Sequence, residues 1–241
     1  MISTPFDPGS RLIVALDFSR TIDAVKLACE VRQSARLFKV GLELFTASPE
    51  AIETLTSFST LKDPSSPGIM LDLKLCDIPE TVGRAARVLT AYPRVELITV
   101  HTSGGPKMLE AAVASGARVL AVTVLTSMDA DTLRAVGYTG AVEDLVLRRA
   151  LLARSTGCAG VVASPREAAM IRAACPPPFL IVTPGIRAAG ATSDDQKRVA
   201  TARQAVEGGA DLVVVGRPIR DAEDPRSAAA AFVEELKGSS T

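Results

Sequence analysis

The segment Gly68-Ile-Met-Leu-Asp72-Leu-Lys74-Leu-Cys-Asp77-Ile-Pro-Glu-Thr81 is the most informative part of the chain, because it joins an apolar run to a helix-like segment through a series of charges. Read as a strand, residues 68–74 send Asp72 and Lys74 to the same face, since side chains alternate with a period of two. Two charges on one face of an otherwise apolar strand are costly to bury unless they compensate each other or take part in chemistry. The segment is therefore a strand candidate and a site candidate.

Seven other β-rich runs resemble this strand and alternate with amphipathic or alanine-rich helical segments. The predicted strands are 11–17, 37–41, 68–74, 95–100, 118–124, 158–162, 179–183 and 211–215. Two of the helical segments have clear apolar faces. The predicted faces consist of Ile78, Val82, Ala85, Ala86 and Leu89 in one segment, and of Ala229, Phe232, Val233 and Leu236 in the other.

Eight strands in strict βα alternation indicate a parallel sheet with right-handed crossovers, and eight is the number that closes a TIM barrel. An open doubly wound sheet is the alternative. Its glycine-rich dinucleotide turn is missing, because Asp17-Phe-Ser-Arg20 follows the first strand instead. We predict an α/β fold with a single (β/α)8 TIM barrel over residues 11–237, an N-terminal tail at 1–10 and a C-terminal tail at 238–241.

The composition fits one barrel and excludes several classes of protein. The chain has 241 residues, of which 47% are hydrophobic and 22% charged, so a large core is available. Lysine plus arginine equals aspartate plus glutamate at 27 each, which gives no global basic field for nucleic acid or an anionic membrane. Four cysteines without a CxxC pair and a single histidine disfavour a disulfide framework and a thiolate–imidazole metal site. We expect a cytoplasmic protein that binds neither nucleic acid nor membrane.

Polar residues gather where the predicted strands end, which in a barrel of this kind is the side of the active site. They follow seven of the eight strands and are Asp17, Lys39, Asp72, Lys74, His101, Thr126, Ser127, Pro184, Arg187, Gly216 and Arg217. The loops after strands seven and eight fit an anion site, because Gly185 and Gly216 let the backbone approach closely and the arginines supply charge. Gln196 adds an amide donor. Turn glycines with solvated arginines are the alternative explanation.

The charges from the first three strands should converge in the barrel mouth with alternating sign. A structural ion-pair network is one explanation, but Asp77 adds a negative charge beyond neutralisation. Lys74, flanked by carboxylates, should remain protonated. It is therefore a candidate proton donor rather than a nucleophile. His101 is more typical of an interior or strand-end histidine than of a catalyst, and Cys76 of a small filler.

The chain resembles the orotidine 5′-phosphate decarboxylase family in motifs that occur in the right order from residue 11 to about 236. The matching segments are Leu16-Asp17, Phe38-Lys-Val-Gly41, Leu71-Asp-Leu-Lys-Leu-Cys-Asp-Ile-Pro79, Val100-His-Thr-Ser-Gly-Gly105, Val124-Leu-Thr-Ser-Met128, Thr183-Pro-Gly-Ile-Arg187 with Gln196, and Val215-Gly-Arg-Pro218. The DxKxxDIP signature is specific. The residues of the segments are similar to those of the short, bacterial-type, single-function form of the enzyme. The resemblance implies decarboxylation of orotidine 5′-monophosphate (OMP) to UMP and CO2, the last step of de novo UMP synthesis, without a metal or organic cofactor.

The resemblance also implies roles for individual residues. Lys74 is the expected proton donor to C6 of the pyrimidine, and Asp72 lies beside the substrate carboxylate, with Lys39 and Asp77 completing the catalytic set. The expected substrate-binding residues are Asp17, Lys39, Asp72, Ile78, Thr81, Thr126, Ser127, Pro184, Arg187, Gln196, Gly216 and Arg217. Asp77 of the catalytic set, with Ile78 and Thr81 of the substrate-binding set, is expected to reach into the neighbouring subunit's site, which implies a homodimer with shared active sites.

Two other functions remain open from the sequence. The hexulose-phosphate synthase and keto-gulonate-phosphate decarboxylase group shares the DxKxxD spacing but uses magnesium with sugar phosphates. Its members typically continue with an Asp-Ala-Gly type turn, where this chain has Asp77-Ile-Pro79. A non-catalytic nucleotide-binding barrel is the second alternative, which the intact Asp/Lys array disfavours.

Overall fold

The computed structural model describes residues 11–57, 66–187 and 200–237, so both predicted tails lie outside the described residues. The strands of this part of the chain are β1 Leu12–Ala15, β2 Leu37–Gly41, β3 Gly68–Leu75, β4 Val95–His101, β5 Val119–Val122, β6 Gly160–Val162, β7 Leu180–Thr183 and β8 Leu212–Val215. The helices are α1 Thr21–Val31, α2 Leu42–Ala47, α3 Ala51–Ser57, α4 Pro79–Ala91, α5 Gly105–Ala114, α6 Ala130–Ala135, α7 Val142–Ser155, α8 Ala168–Ala174, α9 Ala202–Glu207, α10 Arg217–Arg220 and α11 Pro225–Lys237.

The strands form a closed parallel barrel in chain order, and β1 pairs with β8 to complete the ring. Each predicted strand corresponds to an observed one, and most of them are one to three residues shorter than predicted. The (β/α)8 prediction is therefore confirmed, and the doubly wound alternative is wrong. No helix among the described residues combines the length and apolarity that crossing a bilayer requires.

Alternation along the strands builds two apolar cores, because one face of each strand points into the barrel and the other points toward the helices. Inside the barrel lie Ile13, Ala15, Leu37, Met70, Leu97, Leu120, Val122, Val162, Leu180, Val182, Leu212 and Val214. The larger core lies between the strands and the surrounding helices. Among the described residues, the barrel interior is thus filled by apolar side chains.

The predicted apolar face of the last helix is confirmed, since Ala229, Phe232 and Leu236 of α11 are buried. The predicted face near residue 80 is correct from Val82 onward but wrong for Ile78, whose side chain is 65% exposed. The reason is local. Pro79 occupies the first turn of α4, and the preceding residue is extended, with φ −59° and ψ 152°. The helical period therefore begins only after Ile78.

Polar side chains form the next layer above the apolar interior of the barrel. Each stands two positions after an inward-facing apolar residue and therefore points to the same side. The pairs are Ala15 and Asp17, Leu37 and Lys39, Met70 and Asp72, and Leu97 and Thr99. Over two positions of each strand, the inward-pointing side chains thus change from apolar groups that fill the barrel to polar groups that line its mouth.

Candidate active site

Four charged side chains, one just after β1 and three on β2 and β3, meet at the mouth of the barrel. Lys39 Nζ donates a hydrogen bond to Asp17 Oδ1 at 2.8 Å and lies 3.8 Å from Asp72 Oδ2. Lys74 Nζ lies 2.9 Å from the same Asp72 oxygen. The predicted alternation of charge is therefore present, in the order Asp17, Lys39, Asp72, Lys74.

The array is graded from a buried centre to more open ends. The side chains of Lys39 and Asp72 are 11% and 13% exposed, whereas those of Asp17 and Lys74 are 38% and 32% exposed. Burial alone would raise the pKa of Asp72, but Lys39 and Lys74 with hydrogen bonds from Lys74 and Thr99 outweigh it and lower that pKa below its usual range. Asp72 is therefore ionised at neutral pH.

The backbone at Lys74 departs from the regular strand that the sequence predicts. The pairing of β3 with β4 shifts by one residue between the pairs Ile69–Val95 and Met70–Leu97, and after Leu71 opposite Ile98 it resumes only at Leu75 opposite Val100. Lys74 has φ 50°, a left-handed conformation that costs free energy for any residue with a Cβ. Such conformations persist where the surrounding structure enforces them, and they concentrate at functional sites.

Thr99 on β4 is a site residue that our sequence analysis missed. Its side chain is completely buried, and its hydroxyl contacts both Asp72 and the backbone of Lys74. A signal was present in the sequence, because Thr99 stands two positions after the inward-facing Leu97. The strand prediction for residues 95–100 includes Thr99 but assigns it no role.

The charged array borders a cavity of about 300 Å³ at the mouth of the barrel. Nine predicted site residues line it, namely Asp17, Lys39, Asp72, Lys74, Thr126, Pro184, Arg187, Gly216 and Arg217. The cations lie on two sides, with the lysines on β2 and β3 and the arginines after β7 and β8. An elongated ligand with an anionic end fits between them.

Arg220, which the sequence analysis also missed, lines this cavity as well. It donates to the backbone carbonyl of Asp17 at 3.0 Å, and its guanidinium lies 6.0 Å from the centre of the Phe18 ring. The carboxylate of Asp221 accepts two hydrogen bonds from the Arg220 guanidinium. Arg220 therefore ties the loop after β1 to α10.

The loops after β7 and β8 provide the arginine side of the cavity. Gly185 has φ 81°, which favours glycine there. Backbone hydrogen bonds join Arg187 N to Ala200 O at 3.1 Å and Ala200 N to Gly185 O at 3.4 Å. Ala200 is thus paired with Gly185 and Arg187, which line the cavity. Gln196 lies outside the described residues.

The other predicted site residues do not line the cavity of this chain. Ser127 is exposed at the rim, and Asp77, Ile78 and Thr81 are exposed beyond the end of β3. The side chain of Asp77 accepts a hydrogen bond from the backbone N–H of Ile78 at 2.6 Å. In the single chain, Asp77, Ile78 and Thr81 are thus exposed outside the cavity.

His101 lies next to the site without lining the cavity. Burial, followed by the nearby charges of Arg149 and Lys74, lowers its pKa. Its Nδ1 accepts from the backbone N–H of Ser103 at 3.2 Å, so the neutral ring carries its proton on Nε2. The sequence-based description of His101 as a strand-end residue agrees with this arrangement.

Within residues 11–57, 66–187 and 200–237, no group of three or more histidine, cysteine, aspartate or glutamate side chains is arranged to hold a metal ion. The polar groups at the cavity are instead paired lysines and carboxylates, with arginines opposite. Such a site can stabilise negative charge at two separate points of one ligand.

Comparison with known proteins gives a consistent result. Residues 10–232 match the model of the family described as "Orotidine 5′-phosphate decarboxylase / HUMPS family". A protein of Anaeromyxobacter sp. (strain K) named orotidine 5′-phosphate decarboxylase is 49% identical over 95% of this chain and 99% of its own length. A protein of the same name from Trichlorobacter lovleyi is 44% identical over 94% and 95%, respectively.

Solved structures give the same answer. The crystal structure of orotidine 5′-phosphate decarboxylase from Lactobacillus acidophilus has a TM-score of 0.79 and 33% identity, over 94% of this chain and 98% of that one. The chain belongs to the orotidine 5′-phosphate decarboxylase / HUMPS family.

Proposed function

We propose that this chain decarboxylates OMP to UMP and CO2. The observation that carries the proposal is the Asp17–Lys39–Asp72–Lys74 array on one side of a cavity whose other side presents Arg217. The family also includes HUMPS proteins, so membership alone does not select the substrate. Relatives that are 43–49% identical over nearly the whole chain are named orotidine 5′-phosphate decarboxylase, which supports OMP.

The cavity suggests one orientation for the nucleotide. The 5′-phosphate pairs with Arg217 and Arg187 and approaches the backbone at Gly216, where the absence of a side chain leaves room. The ribose hydroxyls lie beside Asp17 and Lys39, and the pyrimidine ring points toward Thr126. Pro184 and Gln196 complete the phosphate side, and Ser127 contributes at the rim. This orientation brings C6 of the pyrimidine to Lys74.

The chemical step breaks the bond between C6 and the carboxylate carbon, and the electron pair stays on C6. The ring π-system does not delocalise that pair well, so its charge must be stabilised electrostatically. The Lys74 ammonium lies where it can do this and can then transfer a proton to C6. The resulting neutral amine recovers its proton from solvent. No redox step occurs and no metal or organic cofactor is required.

Asp72 contributes by facing the substrate carboxylate. Two negative charges about 4 Å apart repel by roughly 4 kcal/mol at an effective dielectric constant of about 20. Decarboxylation removes this repulsion, because the departing CO2 is neutral. Very slow reactions need about 20 kcal/mol of catalysis. The larger share must therefore come from the preorganised lysines and from binding energy at the phosphate.

We also propose that the active unit is a homodimer with shared sites. The family resemblance supports this proposal, and Asp77, Ile78 and Thr81 are exposed in the single chain, where they are available to a second copy. In this proposal Asp77 lies beside the partner's lysine–carboxylate array and completes the catalytic set there. Ile78 and Thr81 contact the partner's substrate.

A cytoplasmic location fits the thiol chemistry. All four cysteines, Cys29, Cys76, Cys158 and Cys175, are free. Unpaired cysteines are typical of reducing compartments. We therefore place the reaction in the cytoplasm.

The test follows the fall in ultraviolet absorbance when purified protein meets OMP in the presence of EDTA, with UMP identified by chromatography. We expect full turnover in EDTA. Activity toward hexulose or keto-gulonate phosphates that requires magnesium, with none toward OMP, would instead assign the chain to the sugar-phosphate group. Binding of UMP without turnover of OMP would indicate a non-catalytic nucleotide-binding barrel.

A further inference from the structure

The hydrogen-bond ladder between β3 and β4 is interrupted at the catalytic lysine. Between the pairs Leu71–Ile98 and Leu75–Val100, three residues of β3 stand opposite a single residue of β4, which is Thr99. Extra residues in one strand leave backbone groups without ladder partners. A buried N–H in such a bulge needs another acceptor, because an unpaired one is costly.

Thr99 supplies that acceptor. Its Oγ1 accepts the backbone N–H of Lys74 at 2.8 Å, and the hydroxyl donates to Asp72 Oδ1 at 3.0 Å. Because the oxygen accepts from an N–H, its own proton is free to go to the carboxylate. One completely buried hydroxyl therefore contacts both the Asp72 carboxylate and the backbone of Lys74.

The two oxygens of the Asp72 carboxylate have different partners. Oδ1 accepts the hydrogen bond from the Thr99 hydroxyl, whereas Oδ2 lies 2.9 Å from Lys74 Nζ and 3.8 Å from Lys39 Nζ. This fixes the plane of the carboxylate. The bond to Lys74 N also fixes the strained turn of the backbone, with φ 50°, from which the lysine side chain extends.

We propose that Thr99 is a positioning residue for the decarboxylation, whose hydroxyl sets the carboxylate plane of Asp72 and the backbone turn that directs Lys74 Nζ toward C6. The inference rests on the proposed function and adds a residue to that site. Thr99 does not line the cavity, so it acts through its two neighbours. Because a displacement of about 1 Å at a reacting group can cost about 100-fold in rate, losing this hydroxyl should affect turnover much more than binding.

The test compares Thr99→Val, which keeps the shape and removes the hydroxyl, with Thr99→Ser, which keeps the hydroxyl. Thr102→Val is the matched control, because Thr102 is 3% exposed and its hydroxyl donates to the Val122 carbonyl at 2.8 Å, away from the charged array. For each variant kcat, KM, UMP affinity and thermal midpoint are measured. We expect Thr99→Val to lower kcat about 10- to 100-fold and to change UMP affinity by less than about 3-fold.

Thr99→Ser should keep kcat within about 3-fold of the parent, and Thr102→Val should keep it unchanged even if its thermal midpoint falls as far as that of Thr99→Val. A Thr99→Val enzyme with the parent kcat overturns the inference. Equal losses in the serine and valine variants also overturn it, because packing and not the hydroxyl would then be responsible. If Thr99→Val does not fold, Thr99→Cys gives the comparison, since a thiol is a weaker donor and acceptor. Its kcat must then fall below that of the serine variant.

The two proposals fail in different ways. A parent protein that does not decarboxylate OMP removes the proposed function and this inference with it. An active parent with a fully active Thr99→Val variant removes this inference alone.

Discussion

Replacing Lys74 by glycine should give a more stable protein than replacing it by alanine, although both variants lose catalysis. Lys74 has φ 50°, and this left-handed conformation costs a residue with a Cβ about 1–2 kcal/mol. Glycine avoids that cost but loses roughly 0.5–1 kcal/mol more through the freedom of its unfolded chain. The free energy of unfolding of Lys74→Gly should therefore exceed that of Lys74→Ala by roughly 0.5–1 kcal/mol.

The catalytic loss should be large and equal in the two variants. An ammonium about 3 Å from a carbanion, at an effective dielectric constant of about 20, contributes roughly 5 kcal/mol. That free energy corresponds to a factor of roughly 10³–10⁴ in kcat. UMP should still bind, because Arg217 and the rest of the cavity are unchanged.

Urea unfolding measures the stability difference, and OMP turnover measures the catalytic loss. Arg87 provides a matched control, because it is exposed on the regular helix α4. There the order should invert, with Arg87→Gly less stable than Arg87→Ala by about 1 kcal/mol. Suppose that Lys74→Ala proved at least as stable as Lys74→Gly while Arg87→Gly remained less stable than Arg87→Ala. That result would contradict a left-handed backbone conformation at Lys74. Turnover of Lys74→Ala near the parent rate would disprove the role of the ammonium.

Three further predictions concern other parts of the site. Arg217→Ala should weaken UMP binding roughly 10- to 100-fold and also slow turnover, because a charge-assisted hydrogen bond contributes about 1.5–3 kcal/mol. Arg149→Met should raise the pKa of His101 part of the way toward the ordinary value near 6.5, since burial remains; the NMR signal of this sole histidine reports it, and in the parent the ring takes up its proton at a lower pH than in the variant. Gly41→Ala should lower kcat about 10-fold, because its Cβ would lie 2.8 Å from Lys39 Nζ and displace that amine.

Controls for these predictions come from neighbouring positions. Arg166→Ala removes an exposed arginine outside the cavity and should leave UMP affinity unchanged. Arg148→Met removes a guanidinium that stacks 5.5 Å from the Tyr138 ring and should leave the His101 titration in place. Unchanged UMP affinity in Arg217→Ala removes that residue from the phosphate site. A His101 pKa that is insensitive to Arg149, or full activity in Gly41→Ala, contradicts the corresponding geometry.

The sequence was sufficient to predict the barrel and the convergence of its charges. Strict alternation of strands and helices determines a closed parallel ring, and polar residues that follow apolar strands must then meet at one end. Asp17, Lys39, Asp72 and Lys74 could be placed together by that rule alone, and the structure brings them within hydrogen-bond or ion-pair distance.

What the rule could not supply was the irregular backbone. Period-two alternation correctly puts Asp72 and Lys74 on one side, but it contains no information about a bulge or a left-handed residue, which arise from pairing with β4. Thr99 was missed for that reason, since its importance depends on what stands opposite. Arg220 was missed because its contacts join residues that are about 200 positions apart in the chain. The predicted buried face includes Ile78 because hydrophobic periodicity alone does not show that the helix begins at Pro79.

The pairing of β1 with β8 has a consequence for how the protein holds its ligand. The lysine–carboxylate array comes from residues 17–74 and the arginine side from residues 184–217, so a nucleotide bound in the proposed orientation bridges the seam where the first and last strands join. Binding of the nucleotide should then connect the N-terminal and C-terminal parts of the barrel to each other. Neither half of the molecule holds both ends of such a ligand by itself.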